Sequence, residues 1–156
     1  LFFTLDGDKL HSKPMKGTAV RGRTLAEDDA NADWLAQSVK NRAENVMIVD
    51  MIRNDMGQVA AVGSVQTPRL FDVERYPTVL QMTSTVTART DAPIADIIAA
   101  MFPCASITGA PKKRTMELIK QLEPSPRGIY TGAIGFIAPN RQVQFNVVNC
   151  ITPPLP

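Results

Sequence analysis

Lys16 stands in the run Pro14-Met15-Lys16-Gly17-Thr18, with a restricted backbone before it and a permissive one after it. For its amine to attack carbon, an ordinary pKa of about 10.4 must be lowered by desolvation or by nearby cations. Lys13, Arg21 and Arg23 are candidate cations in sequence. A solvated lysine at a turn fits the same pattern, because lysine is rarely buried. A second group lies in the segment from Ala43 to Asp55, where Asp50 falls inside the largely apolar run 46–52. A carboxylate in such a run needs a partner, although an amphipathic helix with Glu44, Asp50, Arg53 and Asn54 on its polar face accounts for the same residues. The third is Phe102-Pro103-Cys104-Ala105-Ser106-Ile107-Thr108-Gly109-Ala110-Pro111-Lys112-Lys113-Arg114. Bare amides at a helix start bind anions. Three cations in the first turn oppose the helix dipole at about 0.3 kcal/mol or more each, a balance that a bound dianion would reverse. A solvated basic helix end fits the same residues equally well. The run lacks the Gly-Lys-Ser/Thr ending of a Walker-type phosphate loop.

The elements that must position these residues read as follows. Residues 2–5 and 9–12 flank Asp6-Gly7-Asp8, a good hairpin turn. Residues 24–56 form the clearest helical region. Thr24 and Glu27 have capping-box spacing, Asp28 and Asp29 suit the positive end of the dipole, and Gly57 is a natural stop. Leu35, Val39, Ala43, Val46, Met47 and Met51 make the stripe that this helix should bury. Residues 64–88 favour strand, with Pro68 and Pro77 marking breaks or edges. A short helix over 93–101 follows, then another opened by Pro111 in its first position and running to about Leu122. Residues 127–137 and 141–148 read as a second hairpin. The order predicts an α+β fold with mixed or antiparallel β-sheets packed with helices.

Composition narrows the partners. The 156 residues are 44% hydrophobic and 21% charged, with a net charge of +2, which gives no reason to expect nucleic acid. No apolar run approaches the roughly 20 residues that span a bilayer. Cys104 and Cys150 lack C-x-x-C spacing, and a reducing, cytoplasmic setting fits. A start at Leu1 in mid-strand and an end in Thr152-Pro153-Pro154-Leu155-Pro156 read as a fragment.

Pro14-Met15-Lys16-Gly17-Thr18 resembles the Pro-Ile-Lys-Gly-Thr motif of the chorismate-using enzymes of the aminodeoxychorismate synthase component I family. The related anthranilate synthases carry alanine in place of the lysine. The resemblance implies that Lys16 attacks chorismate as the ring hydroxyl leaves, and that ammonia then displaces the lysine to give aminodeoxychorismate, the precursor of para-aminobenzoate and folate. The segment from Glu44 to Asp55 is similar to the family's Glu-Asn-Leu-Met-Ile-Val-Asp-Leu-Ile-Arg-Asn-Asp. By that likeness Glu44 helps hold a Mg²⁺ that grips a substrate carboxylate. Mg²⁺ combines few carboxylates with waters and the anion itself, so Glu44 suits half of such a site. The 102–114 run resembles the family's Pro-Cys-Gly-Ser-Ile-Thr-Gly-Ala-Pro-Lys, with Ala105 in place of a glycine, and implies substrate contacts from Ser106, Thr108 and Gly109.

Arg127-Gly128-Ile129-Tyr130-Thr131-Gly132-Ala133-Ile134-Gly135 resembles a family strand whose tyrosine lines the chorismate pocket, though Tyr130 also fits a core strand residue with a bonded hydroxyl. Gln81 aligns where anthranilate synthases carry a catalytic histidine; it hydrogen-bonds but carries no proton near neutral pH. The single histidine, His11, reads as structural or exposed. The resemblance implies a partial chorismate-binding domain over 1–148 and a divergent tail over 149–156, where Cys150 replaces a substrate-binding arginine. It also implies a general-acid glutamate just before Leu1 and a second Mg²⁺-binding glutamate beyond Pro156. No cysteine sits in a Gly-x-Cys-x-Gly setting, so ammonia is expected from solution or from a glutamine amidotransferase partner. The isolated chain is expected to be inactive. Anthranilate synthase, another chorismate enzyme and an inactive ligand-binding fragment are the competing readings.

Overall fold

Gly7, at φ +60°, closes the first hairpin between β1 (Phe3–Asp6) and β2 (Lys9–Ser12), where the Asp-Gly-Asp turn places it. The computed structural model describes residues 1–148. The divergent tail and the Cys150 substitution lie outside the described residues. The chain next forms β3 (Met15–Val20), β4 (Gln66–Arg75) and β5 (Val79–Arg89). Along one edge β5 pairs first with β2, from Lys9↔Arg89 to Ser12↔Val86, and then with β3, from Met15↔Thr83 to Val20↔Val79. Its other edge pairs with β4, whose register shifts on either side of Arg69, close to Pro68. β1 pairs with β7 (Gln142–Val147), and β7 with β6 (Ala133–Ala138). The result is one seven-stranded antiparallel sheet backed by helices, within the expected α+β class. Lys16 therefore sits in a strand rather than in a turn at the end of a hairpin.

The helical region 24–56 is two helices, α1 (Leu25–Gln37) and α2 (Val39–Gly57). Ser38 turns extended between them and caps the second, its hydroxyl accepting from the Asn41 amide at 3.4 Å. The expected capping box is present in its first half, the Glu27 amide donating to Thr24 Oγ1 at 3.2 Å, while the Glu27 carboxylate reaches one residue further back, to the Arg23 amide at 2.8 Å, rather than to that of Thr24. The break at Ser38 changes which residues face the sheet. Leu35 is buried as expected, but Val39 is 83% exposed and Val46 and Met47 are exposed. Asn45, Ile48, Val49, Ile52, Asp55 and Met56 are buried instead. Three more helices follow: α3 (Ile94–Met101), the single turn α4 (Ala105–Thr108) and α5 (Lys112–Leu122). Pro111 stands at the N-cap of α5, one position before the one expected. Among the described residues no single helix is long and apolar enough to cross a membrane.

The main core joins Phe3, Leu5, Leu10 and Val86 of the sheet to Ile48, Val49, Ile52 and Met56 of α2 and to Ile97 and Met101 of α3. Each large side chain so buried contributes about 1.5–3 kcal/mol. A smaller cluster, Ala32, Leu35, Leu80 and Met82, seats α1 on the same sheet.

Asp28, read from sequence as a partner for the helix dipole, does more. Buried at the start of α1, it accepts from Arg21 Nε at 2.6 Å and Nη2 at 3.0 Å, from the Gly22 amide at 2.9 Å, and from Arg75. The Arg21 guanidinium, then the Gly22 amide and Arg75, hold its carboxyl well below the usual carboxylate range. A depressed folded pKa adds stability above the unfolded value of about 3.9, and that stability is lost as pH falls toward the folded value. Asp28→Asn is expected to lower the thermal midpoint at pH 7, with the gap to the unsubstituted chain closing below about pH 4. Thermal unfolding of both chains across that range checks it; a pH-independent gap would show that the charge contributes nothing.

Candidate active site

β3 carries Lys16 past an irregularity, because the stretch from Met15 to Thr18 faces the shorter stretch from Thr83 to Gln81. Lys16 is half-buried, and Gly17 takes φ +95° with Asn41 of α2 packed against it. On the neighbouring strand, Gln81 Nε2 donates to the Gly17 carbonyl at 2.7 Å, while the Thr18 hydroxyl donates to Gln81 Oε1 at 3.0 Å. Beneath, the fully buried Asn45 of α2 donates to the Lys16 carbonyl at 3.5 Å and accepts from the Ser84 hydroxyl at 2.5 Å. Sequence reading passed over Asn45 and Ser84. Their signal was a small polar residue at a buried position of an apolar pattern, where a hydrogen-bond partner is obligatory.

The other expected site residues fall in distinct places. Ser106 lines a cleft of about 230 Å³ together with Pro14 and Met15, Ile48 and Ile52 of α2, Lys13 and Asn146. Lys16 is not among its lining residues; its two preceding neighbours are. Thr108 and Tyr130 line a second cleft, of about 310 Å³, floored by Met116 and Ile119 of α5. Tyr130 lies in a turn rather than a strand, because Gly128 and Thr131 both take positive φ and pairing to β7 starts only at Ala133. The residue is 47% exposed, not in the core.

The anion loop also differs from its sequence reading. Residues 105–108 close a helical turn that occupies the amides of Thr108 and Gly109, which donate to the carbonyls of Cys104 and Ala105 at 3.3 and 3.1 Å. In the same turn Ser106 Oγ lies 3.2 Å from the buried Cys104 sulfur. Two of the three cations that open α5 are neutralised from within. Lys112 Nζ meets Asp55 of α2 at 2.5 Å, and Arg114 meets Glu117 at 3.1 Å. Burial pushes the Asp55 carboxyl up, by more than the Lys112 ammonium pulls it down.

Glu44 is half-exposed on α2, with Lys40 at 3.9 Å. Among the described residues no three His, Cys, Asp or Glu side chains group to hold a metal ion. Glu44 therefore fits Mg²⁺ only as one donor among oxygens supplied from elsewhere. Asp50 needs no buried partner, since it is exposed and paired with Arg53 at 2.9 Å. His11 is half-buried on β2, where burial and then Lys13 push its imidazole pKa down.

The sheet is backed by α2, which packs against both the lysine strand β3 and the hydroxyl turn α4. The chain belongs to the chorismate binding enzyme family, which matches residues 1–148. It is 49% identical to the probable chloroplastic aminodeoxychorismate synthase of Oryza sativa subsp. japonica over 94% of its length, which is 17% of that protein. It is 45% identical to aminodeoxychorismate synthase component 1 of Bacillus subtilis (strain 168) over 95% of its length, which is 32% of that protein. The chain thus spans less than a third of these relatives. Anthranilate synthase component I from Streptococcus pneumoniae TIGR4 superposes with a TM-score of 0.82 at 30% identity, over 94% of this chain and 32% of that one. The menaquinone-specific isochorismate synthase of Escherichia coli superposes with the same TM-score at 20% identity, over 95% of this chain and 34% of that one, a likeness of fold alone.

The Asp55–Lys112 pair ties the hydroxyl turn to α2, and Lys112 also reaches the Met101 carbonyl at 3.5 Å. Breaking it by Asp55→Leu is expected to cost about 2–3 kcal/mol, somewhat below a fully sealed pair because Lys112 keeps some solvent contact. Adding Lys112→Met should recover more than half of that loss. Urea unfolding of the single and double variants checks both values; equal stability of the single variant and the unsubstituted chain would refute the pairing.

Proposed function

We propose that this segment supplies the lysine side of a chorismate-aminating site, producing 4-amino-4-deoxychorismate for para-aminobenzoate and folate synthesis. The observation that carries the reading is Lys16, in its Pro-Met-Lys-Gly-Thr run, on a strand irregularity held by β5 and α2. The aminodeoxychorismate synthases, 45–50% identical over most of the chain, support it. In this reading the Lys16 amine bonds to a ring carbon of chorismate as the ring hydroxyl leaves with a proton, and ammonia then displaces the lysine. Nothing in the chain resembles a glutamine-hydrolysing cysteine site, so the ammonia comes from solution or from a glutamine amidotransferase subunit or domain.

In this reading the other residues take supporting roles. Ser106 and Thr108 offer hydroxyls to the substrate, Gly109 offers its carbonyl, and Tyr130 offers an exposed ring across the cleft from α5. Gln81 supports the substrate through β3, to which its amide both donates and accepts. Glu44 gives one oxygen to a Mg²⁺ that, when bound, would neutralise a substrate carboxylate. A cytoplasmic setting suits a buried free thiol at Cys104. The fold is shared with an anthranilate synthase component, but the lysine amine favours amination through a covalent intermediate over that alternative.

In a protein of the relatives' full length that carries this segment, Lys16→Met is expected to lower ammonia-dependent amination of chorismate by more than about a hundredfold. A coupled assay for the aminated product checks it, with circular dichroism as the folding control. A folded variant with unchanged rate would remove the proposal.

A further inference from the structure

The stretch that carries Lys16 has an unusual backbone. Between Met15 and Thr18, β3 covers three steps while β5 covers two, so the ladder is interrupted there. Gly17 takes φ +95°, a conformation that favours glycine. A Cβ at that position would come within 3.0 Å of Asn41 Cβ, so the strand rests directly on α2. A carbonyl exposed by such an interruption needs a new partner.

Gln81 provides one. Its amide presents a donor and an acceptor side by side, and it uses both on adjacent residues: Nε2 donates to the Gly17 carbonyl at 2.7 Å, and Oε1 accepts from the Thr18 hydroxyl at 3.0 Å. The opposite support is fixed. Asn45 and Ser84 are sealed from solvent and joined at 2.5 Å, the Ser84 amide donates to the Pro14 carbonyl at 3.1 Å, and Asn45 approaches the Lys16 carbonyl. Lys16 thus has a carbonyl anchored before it, its own carbonyl held from the helix, and the next carbonyl held from the strand.

We infer that Gln81 is a positioning residue, a bidentate clamp that holds the Lys16–Gly17–Thr18 irregularity in one conformation and so fixes where the lysine amine stands relative to α2. Its meaning for catalysis rests on Lys16 being the nucleophile, but the clamp itself is a property of the backbone. A side chain of equal length without the amide cannot replace it, and a carboxylate keeps the acceptor for Thr18 while losing the donor to Gly17.

Hydrogen exchange with peptide-level mass spectrometry on the 156-residue chain tests this without reference to turnover. In Gln81→Met, amides of β3 are expected to exchange about fivefold faster or more, with those of α3 unchanged. Gln81→Glu should fall between Gln81→Met and the unsubstituted chain. The rate of Lys16 acylation relative to the exposed Lys40 should also change in Gln81→Met. Unchanged β3 exchange in Gln81→Met, or an equal rise in β3 and α3, would overturn the inference, the second by showing a general loss of stability. If the clamp holds but Lys16→Met still aminates chorismate, the nucleophile assignment fails and the clamp stands.

Discussion

Asn45 and Ser84 share a hydrogen bond inside the protein, and neither has water to fall back on. An unpaired polar group in that position costs about 1–3 kcal/mol, so any register of α2 on the sheet that separates the two is disfavoured. β5 carries Ser84 and is bordered by β2, β3 and β4, so fixing α2 against β5 fixes it against most of the sheet. Glu44 precedes Asn45 on the helix, and Pro14, whose carbonyl is bound by the Ser84 amide, lies two residues before Lys16. The carboxylate and the amine that the proposed chemistry needs are therefore referred to a single buried contact.

The described chain from α5 through β6 is built more loosely. α5 buries none of its residues fully, and Ile134, Phe136 and Ile137 of β6 are exposed at the end of the strand order. An exposed apolar strand of this kind is a surface suited to further pairing or cover. What holds α5 is the Lys112–Asp55 pair to α2, so charge does there what apolar packing does for α3. The turn with Ser106 and Thr108 hangs between these two supports.

Much of this was legible in the sequence because it is local. The Thr24 capping box, the glycine turn at Gly7, the end of α2 at Gly57 and the hairpin break at Pro77 each depend on a few adjacent residues. The lysine motif was equally plain, and its family was readable from it. Three features were not. The apolar stripe through Val39, Ala43 and Met47 assumed one helix, while Ser38 ends one helix and caps the next. The turn at Tyr130 depends on a positive φ at Thr131, a residue that carries β propensity. The clamp by Gln81 joins positions more than sixty residues apart, which no local pattern reports.

The central claim is that the amine of Lys16 bonds covalently to the substrate ring, and proteolytic mass spectrometry tests it most directly. A protein of the relatives' full length carrying this segment would be incubated with chorismate and Mg²⁺ without an ammonia source, then quenched and digested. The account requires a peptide containing Lys16 that is heavier by one chorismate less one water, and that reverts to its original mass when ammonia is added before the quench. Active enzyme that never shows the heavier peptide, or that shows it on another lysine, would contradict it.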